Sequence, residues 1–217
     1  MTGPALASNL SFLLEGFWLT IGLTFLCAAL SLPLGAAVGI LRTVTVPFLR
    51  MAGTVFVEFF RNVPPLILLF FFYFGLPGTG ITFDGLTCGT LALTLYTSAF
   101  VAEAVRAGIA AVDRGQVEAA RSLGLDYLGC LRFVVFPQAV AIVLPALGNI
   151  IIGIVKNTAL VATIGVADLM HQGEVLESRT FATFSTFTVV ALFYLALITP
   201  MSIAVNALDK RGRRTLA

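Results

Sequence analysis

Gly16-Phe-Trp-Leu-Thr-Ile-Gly-Leu-Thr-Phe-Leu-Cys-Ala-Ala-Leu-Ser-Leu-Pro-Leu-Gly-Ala-Ala-Val-Gly-Ile-Leu41 runs for 26 residues without a charged side chain. About 20 apolar residues in a helix cross the ~30 Å hydrocarbon core of a bilayer, so this stretch predicts a membrane-spanning helix. No Lys or Arg precedes it, and its length exceeds the roughly 7–15 residues of a secretory signal core, so the run reads as a permanent span. Within it, Gly35 and Gly39 form a GxxxG step that lets another backbone approach closely, inside one subunit or between two.

The rest of the chain agrees. Of its 217 residues 59% are hydrophobic and 11% charged, and the mean hydropathy is +1.01. A soluble domain covers its surface with roughly 25% charged residues, so a water-facing globule is excluded, as is a disordered chain. Cys27, Cys88 and Cys130 are odd in number and far apart, suggesting neither a metal site nor a disulfide framework.

Further uncharged stretches occupy Asn62–Phe83, Gly85–Ala102, Phe133–Val155 and Thr180–Leu208. The reading is an all-α, integral membrane chain forming a single transmembrane domain over 1–217. Its five spans lie near 16–41, 51–75, 86–108, 138–166 and 181–208. Turn-rich pieces at Gly75–Gly89, Val112–Gly129 and Ala167–Arg179 serve as loops. Arg42, Arg50, Arg106, Arg114, Arg121, Arg132, Lys210, Arg211, Arg213 and Arg214 fall on one side, and Arg179 on the other with Glu15, Asp84, Asp168, Glu174 and Glu177. Basic loops stay inside, so the N-terminus is expected outside and the C-terminus in the cytoplasm of a prokaryotic cell.

Polar groups inside spans are costly unless they pair or line a pathway. Arg61 and Asn62 beside Pro64 and Pro65, Tyr96, Thr97, Glu103, Asn149, Lys156, Asn157 and Thr158 are therefore the pathway candidates. Pro64 and Pro65 remove two backbone donors and should bend or break the second span. Arg61 or Lys156 could attract a carboxylate. Structural pairing competes, through Glu58 with Arg61 and Glu103 with Arg106, each three residues apart, or through Lys156 with a carboxylate on another helix. His171 falls in the outer loop, where a solvated side chain is expected. With Asp168, Glu174 and Glu177, that loop is either a docking contact or an ordinary solvated turn.

The loop near 109–132 holds a second signal. Asp113 followed by Gln116 resembles a capping box that would start a short helix. Ala119, Ala120 and Leu123 would share one face, with Glu118, Arg121 and Ser122 on another. Such a helix could lodge in a partner's cleft or lie on the membrane surface. Glu118-Ala-Ala-x-x-x-Gly124, followed after nine residues by Val134-x-Phe136-Pro137, resembles the EAA-loop signature of permease subunits of ATP-binding-cassette importers. Thr97-Ser-Ala-Phe-Val-Ala-Glu103, Phe59-Phe-Arg61-Asn62-Val-Pro64 and Lys156-Asn157-Thr158-Ala159-Leu160 resemble segments of the polar amino acid permeases. The likeness covers about residues 12–210, and its wording is nearest the glutamate-type permeases.

The resemblance implies the type I importer permease fold and two permease subunits, identical or homologous. It also implies two cytoplasmic ATPase subunits, an external substrate-binding protein, and a polar, potentially acidic, amino acid as substrate, with no nucleic-acid partner. Gln116, Glu118, Ala119, Ala120 and Gly124 would form the coupling helix docked on the ATPase, Glu118 as polar anchor and the small residues for close approach. The chain has no GxxxxGK[ST] loop, so ATP and Mg²⁺ would belong to the ATPase and this chain would bind no cofactor itself. An intramembrane hydrolase would need a Ser–His or two-carboxylate pair within the spans, which the sequence lacks, so no catalytic residue is assigned. An ion-driven secondary transporter fits the composition, although no repeat is evident within the spans.

Overall fold

The computed structural model describes residues 3–216, with side chains described for 9–210. The basic residues Arg211, Arg213 and Arg214 thus lie outside the described side chains. Every regular element within those limits is helical. The long helices are α1 (Gly3–Leu41), α4 (Gly85–Ala110), α7 (Phe136–Thr158) and α9 (Thr183–Leu216). Between them lie α2 (Pro47–Asn62), α3 (Pro65–Phe70), α5 (Arg114–Ser122), α6 (Tyr127–Cys130) and α8 (Leu169–Thr180). Four helices are long and apolar enough to cross a membrane, or five when α2 and the segment Pro65–Thr79 count as one bent span.

That bend follows from the prolines. The Val63 N–H closes α2 on the Phe59 carbonyl, Pro64 and Pro65 offer no N–H, and the chain turns by 99° into α3. After α3 the backbone passes through a π-helical turn (Phe71–Gly75) and a 3₁₀ turn (Leu76–Thr79) that ends on Gly80. In α7 the helix tightens past Thr158 into a 3₁₀ turn (Ala159–Ile164) that stops at Gly165 in the left-handed region.

Helices α1 and α4 run parallel and make the most extensive contact in the molecule. The GxxxG step explains their closeness. A side chain at Gly35 would overlap Val101 and the Ser98 carbonyl, and one at Gly39 would meet the Ala102 carbonyl and Val105. The step therefore serves packing inside this subunit. Helix α7 returns antiparallel against α4, and Leu23, Cys27, Leu69, Ala92, Leu93 and Ile154 form the core among α1, α3, α4 and α7. Large apolar side chains such as Phe25, Phe48, Phe184 and Ile203 face outward, as a surface bathed in lipid permits.

The expected outer loop at Ala167–Arg179 is instead the helix α8. Asp168 is its N-cap, with Oδ1 accepting the His171 N–H at 2.9 Å. Asp168 is 0% exposed, so it is unavailable as an external contact, while His171 is half-buried, with its Nδ1 inside. Sequence hydropathy misses α8 because the helix is short and polar and is held by the bundle: Leu169 and Leu176 pack on Leu13 and Val190.

Candidate functional site

A cavity of about 290 Å³ opens between α4 and α7, lined by Tyr96, Thr97, Phe100, Asn149, Ile150, Gly153, Ile154 and Asn157. Two helical stripes build it. Tyr96 and Phe100 are one turn apart on α4, with ring centroids 4.9 Å apart. Asn149, Gly153 and Asn157 follow at four-residue steps on α7, where Gly153 leaves open space between the two amides. The lining is neutral: two amides, a threonine hydroxyl and a phenol set into an apolar wall. Such a chamber offers donors and acceptors to a small polar solute and no fixed charge.

Of the sequence candidates, Tyr96, Thr97, Asn149 and Asn157 meet here. Thr158 is fully buried and turned away, its hydroxyl donating to the Val155 carbonyl at 2.7 Å. Lys156 is exposed, forms no ion pair among the described residues and does not line the cavity. Asn62 is held on its own helix, Nδ2 donating to the Glu58 carbonyl at 2.7 Å and to Glu58 Oε2 at 3.2 Å. The expected Glu58–Arg61 pair is therefore absent among the described residues, because Asn62, one full turn on, occupies the carboxylate.

One turn along α4 from Phe100, Glu103 gathers three guanidinium groups. Arg42 at the end of α1 and Arg106 on α4 each approach to 2.5 Å, and Arg61 of α2 stands at 3.7 Å. Arg61 also lies over the Phe100 ring, 5.5 Å from its centroid. The Glu103–Arg106 pair matches the i, i+3 spacing. Arg42 and Arg61 come from other helices, and no local spacing announces them. Phe100 and Gly153 were also missed, although both lie in register with flagged neighbours.

A second region gathers the loop residues. Asp113 caps α5, but its Oδ1 accepts from Gly115 N–H at 2.6 Å and not from Gln116, so the capping box is incomplete. The expected apolar face is also revised. Ala120 is buried against its own chain, whereas Gln116, Glu118, Ala119 and Leu123 are exposed, Leu123 by 84%. Beneath α5 a groove of about 380 Å³ is walled by Ile109, Val117, Glu118, Tyr127 and Leu131 among others. Gly124 ends the helix at φ +89°, its N–H bonding Arg121 O and the Leu125 N–H reaching back to Ala120 O. That Schellman closure requires a left-handed residue, and no neighbour stands within 4 Å of where a Cβ would sit.

At the far end of α1, Asp168 contrasts with Glu103. Thr20 Oγ1 accepts the Leu169 N–H at 3.1 Å, and the Tyr194 hydroxyl faces Asp168, Thr20 and Thr158. Among the described residues Asp168 Oδ2 and the Tyr194 hydroxyl are buried without a hydrogen-bond partner, and burial pushes the Asp168 carboxyl up to about 6.

The model of binding-protein-dependent transport system inner membrane components matches residues 5–214. A probable glutamine ABC transporter permease of Bacillus subtilis, GlnM, is 46% identical over 97% of this chain and 98% of its own length. A glutamate transport system permease of Corynebacterium efficiens, GluC, is 36% identical over 92% of this chain and 93% of its own. A crystal structure described as an amino acid ABC transporter with histidines superposes with a TM-score of 0.91 at 33% identity, covering 97% of this chain and 99% of that one. The inward-facing MetNI methionine transporter shares the fold, with a TM-score of 0.79 at 23% identity. The proline-broken helical layout, the short helix after α4 and the polar chamber between α4 and α7 thus occur in a chain that belongs to the binding-protein-dependent transport system inner membrane components, as a permease subunit of the amino acid ABC transporters.

Proposed function

We propose that this chain pairs with a second permease subunit, identical or homologous, and that the cavity between α4 and α7 holds the amino acid during import. The observation that carries the reading is the neutral polar lining, Tyr96, Thr97, Asn149 and Asn157, of a cavity between two of the long apolar helices. Two amides on one stripe of α7 can both donate to and accept from a side-chain amide, so the lining favours a glutamine-like substrate. The B. subtilis relative, a probable glutamine permease, supports that choice. A glutamate-like substrate has its own support in the Corynebacterium relative and in the positive surplus around Glu103.

An external binding protein delivers the amino acid to the α8 side, with the N-terminus outside and the C-terminus in the cytoplasm of a prokaryotic cell. Partner ATPase subunits, which carry ATP and Mg²⁺, dock on α5. Gln116, Glu118 and Ala119 are exposed there for contact, Ala120 anchors the helix to its own chain, and Gly124 fixes the exit turn. Closure of the ATPase pair is transmitted as a rigid-body movement of α5.

Proteoliposomes holding this chain, its ATPase and its binding protein test the proposal. ATP-dependent uptake of labelled glutamine above glutamate is expected, with Asn157→Ala lowering it about tenfold through loss of one polar contact. The reverse preference would establish the acidic reading. Uptake by the chain alone on a sodium or proton gradient would overturn both in favour of a secondary transporter.

A further inference from the structure

The Glu103 cluster is oversupplied. Three guanidinium groups, those of Arg42, Arg61 and Arg106, share one carboxylate, leaving two positive charges unbalanced. Glu58, one turn before Arg61, is engaged by Asn62 and makes no ion pair among the described residues. Of the three, Arg61 lies within the second span, where a charge without a tight partner is expensive and is retained where a ligand or a pathway uses it.

The three arginines are not equivalent. Arg42 and Arg106 make short charge-assisted hydrogen bonds to the two oxygens of Glu103, and the Arg42 side chain is 9% exposed. Arg61 stands off at 3.7 Å, makes no hydrogen bond to the carboxylate within normal geometry and has a side chain 36% exposed. It is also the arginine nearest the cavity, lying over Phe100, which forms the cavity wall. Withdrawing Arg61 would leave Glu103 with two good partners, so the exchange strands no buried charge.

On the permease reading above, we propose that Arg61 receives the α-carboxylate of the amino acid held in the cavity, exchanging its loose contact with Glu103 for the substrate. The side chain of the amino acid then points to Asn149 and Asn157, and Arg42 with Arg106 keep Glu103 satisfied. The exchange acts on the right element. Arg61 is in the last turn of α2, immediately before the Val63–Pro64 elbow, so a carboxylate that draws Arg61 away from Glu103 loosens α2 from α4 at the bend. Lys156, although beside Asn157 in sequence, is outside the cavity lining and takes no part.

The test uses the permease assembled with its ATPase in detergent, with glutamine, glutamate and the α-carboxamide of each as probes, read by ligand-induced thermal stabilisation. Wild type is expected to favour the carboxylate over its α-carboxamide by about 10- to 100-fold, the range for a hydrogen bond to a charged group. Arg61→Gln is expected to abolish that preference by weakening only the carboxylate probe, while Lys156→Gln keeps it. Should Arg61→Gln fail to assemble, Arg61→Lys retains a charge without the forked donors and is expected to reduce the preference several-fold. An Arg61 variant that assembles and discriminates as wild type does overturns the exchange and leaves the cavity reading standing. A wild-type complex stabilised by neither amino acid overturns the cavity reading and the exchange together.

Discussion

Glu103 and Asp168 stand toward opposite ends of α1, and the fold treats them in opposite ways. Glu103 has three arginines drawn from three helices around it. Asp168 has backbone amides and a phenol, and no cation within ion-pair distance among the described residues. At both ends a glycine of α1 admits the neighbour, Gly35 and Gly39 opposite α4 and Gly16 opposite Asp168 and Gln172. Close backbone approach is thus common to the two ends, and charge is what separates them. One end is clamped by ion pairs within a span, and the other is a buried polar joint whose strength depends on a proton.

The sharpest way to break the comparison is Glu103→Gln. It keeps the shape and removes the charge that two short hydrogen bonds from Arg42 and Arg106 depend on, a loss expected to cost about 3 kcal/mol at about 1.5 kcal/mol for each charge-assisted bond. The readout is thermal stability of the purified complex in detergent, with Glu58→Gln, at an exposed carboxylate that only holds Asn62, expected to change little. Equal effects of the two variants would mean that the arginine cluster contributes no more than a surface pair.

At the other end the sign depends on pH. Burial raises the folded-state carboxyl of Asp168 from 3.8 to about 6, so the folded chain keeps this proton at a pH where the unfolded chain has lost it. Its contribution is complete below about pH 4 and declines as pH rises to about 6, by about 3 kcal/mol in all at 1.36 kcal/mol per pKa unit. Asp168→Asn keeps a competent cap and carries no titrating group. The melting temperature of the wild type minus that of the variant should therefore fall between pH 4 and pH 6. A flat difference would show that Asp168 is as well solvated as an ordinary carboxylate.

A methyl group at each glycine contact ranks next. Gly35→Ala would overlap Val101 and the Ser98 carbonyl on a helix that cannot shift alone, whereas Gly16→Ala meets the Asp168 carbonyl and the flexible Gln172 side chain. Overpacking of this kind costs about 1–3 kcal/mol, with Gly35 toward the upper end. A larger loss at Gly16 would move the rigid seam of the molecule from α4 to α8.

The two ends also differ in how far they were legible in the sequence. Spans, the Pro64–Pro65 break and the Glu103–Arg106 pair follow from hydropathy and local spacing, because those are short-range properties. The four cavity residues Tyr96, Thr97, Asn149 and Asn157 were flagged by polarity inside spans, but their meeting is a matter of how α4 lies on α7. Arg42 and Arg61 reach Glu103 through tertiary packing, over sequence separations of 61 residues in the first case. Asp168 reads as solvated because α8 is polar in composition, and the burial that redefines it comes from α1 and α9 closing over that helix.

Gly124 gives the smallest effect and the cleanest contrast with Gly35. The EAA-like pattern assigns it smallness for close approach to a partner, while the backbone at φ +89° assigns it a left-handed turn with open space where a side chain would be. Alanine and asparagine separate the two causes. Alanine is the smaller residue but resists positive φ, and asparagine is bulkier but tolerates it. If the turn is what matters, Gly124→Ala destabilises the α5 exit by about 1 kcal/mol and Gly124→Asn by less, with ATP-driven uptake following the same order. If a docked ATPase fills the space, asparagine is the worse substitution for uptake although not for stability of the isolated subunit. The order of the two variants in the two assays thus decides whether this glycine belongs with Gly35, kept bare for a neighbour, or is kept for its own dihedral angle.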